Sequence, residues 1–177
     1  MRAIANSIDW FNERIGRTVA WLALLIVLVQ FLIVIGRYVF GIGSIWLQEL
    51  ITYMFGFIFM LGAAYTLKHD GHVRVDIFYR EAPARTKAII NLVGSLVFLI
   101  PICLLILWIA WPYVMQSWAV WEGSTEASGI PARYLQKTAI LAFAVLMALQ
   151  GLSMAFRSIL ALRGDQRELD TLSGGSD

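Results

Sequence analysis

Few residues in this chain are equipped for chemistry, and only one stretch brings several of them together. His69-Asp70-Gly71-His72-Val73-Arg74-Val75-Asp76 places two imidazoles and two carboxylates close in sequence, the donor types that hold zinc. Its spacing matches no closed ligand set, and a turn that anchors the next segment by hydrogen bonds is the better reading. Val73, Val75, Ile77 and Tyr79 alternate with polar residues, in too short a run to establish a strand. Glu49 lies near the start of a long apolar run, and Arg37 ends the run before it. A proton-coupling acid usually sits deeper in a membrane span, so these two charges read as groups at a membrane interface. They would snorkel to water, pair across the short connection, or meet a partner subunit. Cys103 is the only cysteine, which excludes an internal disulfide or a dithiol centre and leaves a small buried hydrophobe. His69 and His72 are the only histidines and neither lies in an apolar run, so axial haem ligation is not expected. With no phosphate-binding loop, no cofactor motif and no nucleophile–base pair, the chain reads as non-catalytic.

The elements that carry these residues are set by composition. Of 177 residues, 59% are hydrophobic and 15% charged, and the charges are bunched. The uncharged stretches between them are long enough to cross a bilayer. A net charge of +2 without any Lys/Arg-rich run gives no footing for nucleic acid. Ile4, Ile8, Phe11 and Ile15 recur at helical spacing, so residues 3–17 are expected to form a short amphipathic helix in the interface. A cleaved leader is not expected, because the following apolar run is too long and no small-residue cleavage site succeeds it.

Four spans follow, at about 18–36, 47–67, 88–111 and 138–156. The first has a length of about 28 Å at 1.5 Å per residue, close to one hydrocarbon thickness. Gln30 and Gln150 are the main deep polar side chains, and Pro101 removes a backbone donor in the middle of the third span. A tight aromatic turn from Arg37 to Trp46 joins the first two spans, and Trp46 there reads as an interfacial anchor. The connection 112–137 holds Tyr113, Trp118, Trp121 and Tyr134, rings that favour the headgroup level. Ala144, Ala148, Gly151 and Ala155 form a small-residue stripe that should pack on another helix, internal or foreign. Residues 1–163 thus make a single all-α membrane domain, and 164–177 are expected to be a flexible tail. Eleven of the fourteen Lys and Arg residues fall on the side of the termini, with Arg37, Arg133 and Lys137 opposite. The positive-inside rule then places both termini in the cytoplasm.

Several runs together resemble the small permease subunit of tripartite ATP-independent periplasmic (TRAP) transporters. They are Arg37-Tyr38-Val39-Phe40, Trp46-Leu47-Gln48-Glu49-Leu50, Leu61-Gly62-Ala63-Ala64, His72-Val73-Arg74-Val75-Asp76 and Glu126-Ala127-Ser128-Gly129-Ile130-Pro131. The resemblance implies a subunit of a bacterial or archaeal inner membrane that packs against a large permease of about a dozen spans. The large subunit would carry the substrate and sodium sites, and a periplasmic binding protein would deliver an organic acid. The loop from Leu67 to Asp76 looks like the branch associated with keto acids, hydroxy acids and related carboxylates. On this reading Arg37, Trp46, Glu49, His72, Asp76, Glu126, Ser128 and Pro131 shape turns or subunit contacts, and membrane lipids surround the chain. The competing reading is a stand-alone four-helix transporter, working as a homodimer with Glu49 as its coupling carboxylate.

Overall fold

The computed structural model describes residues 1–72 and 79–173, and every regular element among them is helical. The elements are α1 (Arg2–Val39), α2 (Ile45–Lys68), α3 (Ala84–Val93), a π-helical turn (Gly94–Leu99), α4 (Ile100–Ala119), α5 (Arg133–Leu162) and α6 (Gln166–Ser173). Four are long and apolar enough to cross a membrane: α1, α2, the joined helix Ala84–Ala119 and α5. Each expected span falls inside one of them.

The amphipathic N-terminal segment is helical and runs without a break into the first span, giving a 38-residue α1. At 1.5 Å per residue it is about 57 Å long, well beyond one hydrocarbon thickness. Its faces are used in a way that hydrophobicity does not indicate. Ala5, Asp9, Asn12, Gly16 and Val19 face the other helices, while Ile4, Trp10 and Phe11 point outward. The first turns of α1 thus pack through small and polar groups and show their apolar face to the surroundings.

α2 runs back along α1 after a turn closed by Ile42 N–H donating to Gly36 O at 2.8 Å, with Gly41 at a φ of +67°. Ser44 caps α2 by accepting from Leu47 N–H at 3.3 Å. Close contact of α1 and α2 depends on Gly16, since a Cβ there would overlap the Tyr65 side chain.

Both prolines mark the third span, and at the second the helix runs past its expected limit. The backbone bond pattern shifts just ahead of Pro101, where Ile100 N–H donates to Ser95 O, five residues back. A π turn at this point re-routes the bonds around a residue that cannot donate. Pro112, assigned from sequence to the following loop, lies inside α4, which continues to Ala119. The loop is correspondingly shorter, because a proline removes one bond but the apolar turns after it still gain from being helical in lipid.

α5 is the central element: half of its apolar stretch is covered, against 6% in α1, 17% in α2 and 11% in Ala84–Ala119. Its small-residue stripe packs internally. Gly151 meets Leu99 and Ile100, where a Cβ would come within 2.9 Å of Leu99 Cδ2. Ala64, Cys103, Leu146 and Met147 form the core, with Ile15, Leu61 and Leu99 packed against it. The segment after Arg163 is not loose throughout: Gln166–Ser173 form α6, whose Glu168 is buried against the bundle.

Candidate functional site

Two polar assemblies hold the bundle, one at each end. At the end bearing the α1–α2 and α4–α5 connections, Glu49 is half-buried in the first turns of α2. Its Oε1 accepts from the Ser124 hydroxyl and its Oε2 from Ile130 N–H at 2.6 Å. Ser124 in turn accepts from Glu126 N–H at 3.0 Å. The α4–α5 loop is therefore folded over Glu49, and the backbone at Gly129 passes so close that a Cβ would stand 2.6 Å from Glu49 Oε2. Both lone-pair-bearing atoms of the carboxylate are engaged by the chain itself.

Of the alternatives open to Arg37 and Glu49, the ion pair across the connection is not formed among the described residues. Arg37 is exposed at the end of α1, and the loop donors take the carboxylate in its place. A helix-terminal guanidinium gains little from an exposed ion pair, whereas loop N–H groups folded against the bundle need an acceptor. Trp46 is exposed at the same level. Glu126, Ser128 and Pro131 are also exposed, flanking the latch without supplying its side-chain contacts. The loop's working atoms are the hydroxyl of Ser124, just ahead of the motif, and the amide of Ile130 within it.

Beside this latch Lys137 donates to Glu122 and lies 4.1 Å over the Tyr113 ring. The hydrogen bond from Lys137 holds the Glu122 carboxyl below its usual range. The expected aromatic belt is a packed cluster. Trp118 stands edge-on to Tyr134 with centroids 4.6 Å apart, and its Nε1 donates to Thr138 Oγ1 at 2.8 Å.

At the opposite end α1, α5 and α6 meet through a buried carboxylate. Asp9 Oδ1 accepts from Gln150 Nε2 at 3.0 Å and Ser153 Oγ at 2.6 Å. Its Oδ2 accepts from Arg157, whose Nε lies at 3.0 Å. Arg157 Nη1 reaches on to Glu168 Oε1 at 3.1 Å, so one guanidinium ties α5 to both α1 and α6. Asn12 Nδ2 donates to Gln150 Oε1 at 2.7 Å. Sequence reading picked out Gln150 but missed Asp9, Asn12, Arg157 and Glu168. Their signal was present as a small and polar stripe, Ala5-Asp9-Asn12-Gly16, at three- and four-residue spacing, about 100° around the helix from the isoleucines.

The histidine loop joins this end. Glu13 accepts from Lys68 at 2.6 Å and meets His69 Nε2 at 2.8 Å, clasping the end of α2 to α1. His72 Nε2 lies 3.3 Å from Ala63 O. Asp70 takes a left-handed φ of 55° in the turn, and Gly71 N–H closes it on Thr66 O at 2.9 Å. Asp76 lies outside the described residues. Gln30, the other deep polar side chain, is exposed on α1.

Residues 26–161 match the family described as the DctQ component of tripartite ATP-independent periplasmic transporters. A 67-residue stretch is 34% identical to the C4-dicarboxylate TRAP transporter small permease protein DctQ of Vibrio cholerae, covering 38% of this chain and 29% of that protein. The match thus spans less than a third of that curated relative's length. No solved structure matches the chain.

Proposed function

This chain belongs to the DctQ component family of TRAP transporters, and from that premise we propose that it is a non-catalytic scaffold for a sodium-coupled large permease. It packs against the static framework of that subunit in the inner membrane, with both termini in the cytoplasm. A periplasmic binding protein supplies the cargo. That cargo is an organic acid: the Vibrio relative is named for C4-dicarboxylate, and the loop 67–76 resembles the branch associated with keto and hydroxy acids.

The observation that carries this reading is the engagement of Glu49 and of the cluster of Asp9, Gln150 and Arg157 within the chain's own packing. Glu49 is taken up by the α4–α5 loop, and Asp9, Gln150 and Arg157 by one another. A moving transport site needs broken helices and polar groups free to meet cargo and ions. Arg37, Trp46 and the exposed flank of the loop at Glu126, Ser128 and Pro131 remain as surface for a partner, with His72 at the other end. Glu49 engaged in this way supports a structural role over proton coupling in a homodimer.

The test is purification of the tagged chain from its native membrane in mild detergent, with identification of what accompanies it. A stoichiometric, much larger polytopic protein is expected, and uptake in vesicles should require both. Glu49→Lys should open the loop and reduce recovery of that partner. A lone chain that still drives uptake on reconstitution would refute the scaffold reading.

A further inference from the structure

Between α2, α4 and α5, at the end of the bundle that carries the Glu49 latch, lies an open cavity of about 370 Å³. Its lining has two parts. Arg133, Gln136 and Lys137, in the first two turns of α5, supply the polar rim. Gly56, Met60 and Ile140 lie further along their helices toward the middle of the bundle and supply an apolar floor. The cavity is therefore amphipathic along the direction in which the helices cross the membrane.

The rim has an unequal charge balance. Lys137 is taken by Glu122 and lies over the Tyr113 ring. Among the described residues, no hydrogen bond or ion pair engages the half-buried Arg133 guanidinium, though Glu49 and Glu122 lie within electrostatic reach. Gln136 beside it presents an amide whose Nε2 stands 3.6 Å from the position of a Cβ on Gly56. With Lys137 and Glu122 offsetting each other, one positive charge remains in the lining. Close by on α2, Tyr53 is 8% exposed and its hydroxyl has no hydrogen-bond partner among the described residues.

We propose that this cavity is a phospholipid site, in which Arg133 and Gln136 hold the headgroup phosphate and one acyl chain lies along Met60 and Ile140. A phosphodiester carries a single negative charge and planar-fork acceptors suited to a guanidinium. The apolar floor is what selects a lipid over a soluble anion. A free phosphate would leave that floor wet at the level of the hydrocarbon, whereas an acyl chain covers it. The site needs only the membrane setting of the chain and stands apart from the scaffold reading.

The test uses the full chain, with whatever subunit accompanies it, by native mass spectrometry after titration with phosphatidylglycerol in mild detergent. The wild type should retain a bound phospholipid. Arg133→Gln should weaken it by about tenfold or more, the loss of a charge-assisted contact, and Arg133→Lys should recover part of that. Met60→Trp, which fills the floor and keeps every charge, should also weaken retention. Arg163→Gln removes an exposed charge at the opposite end and should leave it unchanged. Equal retention by wild type, Arg133→Gln and Met60→Trp would overturn the proposal. So would equal loss in Arg163→Gln, or displacement of the lipid by inorganic phosphate, which would make the rim a soluble-anion site.

Discussion

Replacing Arg157 by leucine tests whether the buried carboxylate at the α1–α5–α6 junction holds the bundle together. The substitution removes both donors to Asp9 Oδ2 and leaves Oδ1 with only Gln150 and Ser153. Asp9 is 7% exposed, so water replaces the lost donors poorly. Breaking a fully buried pair costs about 3–5 kcal/mol. The Arg157 side chain is 37% exposed, however, and its share of the attraction is screened. A loss of about 2–3 kcal/mol follows, or roughly 30- to 150-fold in the folding equilibrium. Unfolding in a titration with sodium dodecyl sulfate, followed by tryptophan fluorescence, measures it. The sharper outcome is in the double variant. Asp9→Asn keeps an acceptor for Gln150 and Ser153 and deletes the stranded charge, so adding it to Arg157→Leu should recover about 1 kcal/mol. Arg157→Leu within about 0.5 kcal/mol of wild type, or a double variant weaker than the single one, would refute the reasoning.

At the opposite end, Gly129→Ala should open the latch, because its Cβ would occupy space held by Ser124 and Glu49. Faster protease cleavage between Val120 and Ala132 is the readout, and an unchanged digestion rate would count against the contact. Gly16→Ala should loosen α1 from α2 by forcing the Tyr65 ring aside, and adding Tyr65→Ala should restore the melting temperature in part. The Glu122–Lys137 pair sets a pH dependence. The Glu122 pKa is lowered in the folded chain by the hydrogen bond from Lys137, so its contribution is complete above the ordinary carboxylate range. That contribution fades as pH falls through that range toward the lowered value, and Glu122→Gln should flatten this acid-side slope in a melting series.

Much of the architecture is decided by the sequence itself. Four uncharged stretches can satisfy their backbone in lipid only as helices, so span number and approximate limits follow from hydropathy and bond counting. The small stripe at Ala144, Ala148, Gly151 and Ala155 marks a close contact for the same local reason, and Gly151 indeed meets Leu99 and Ile100. The motif Glu126-Ala127-Ser128-Gly129-Ile130-Pro131 and Glu49 were each visible, but nothing local joins them. Their meeting requires α2 and α5 to stand side by side, and it rests on a backbone amide that carries no identity in the sequence. Arg37 was the nearer partner along the chain and is not the one used, since loop donors that lose water on folding compete better than an exposed guanidinium. Asp9 shows the same division. On a helical wheel it belongs to a polar face that ought to seek water, and only the packing of α5 against that face supplies the Gln150, Ser153 and Arg157 donors that let a carboxylate be buried. Hydrophobic periodicity records how much each residue gains by leaving water, whereas which polar groups satisfy one another depends on distances set between helices far apart in sequence.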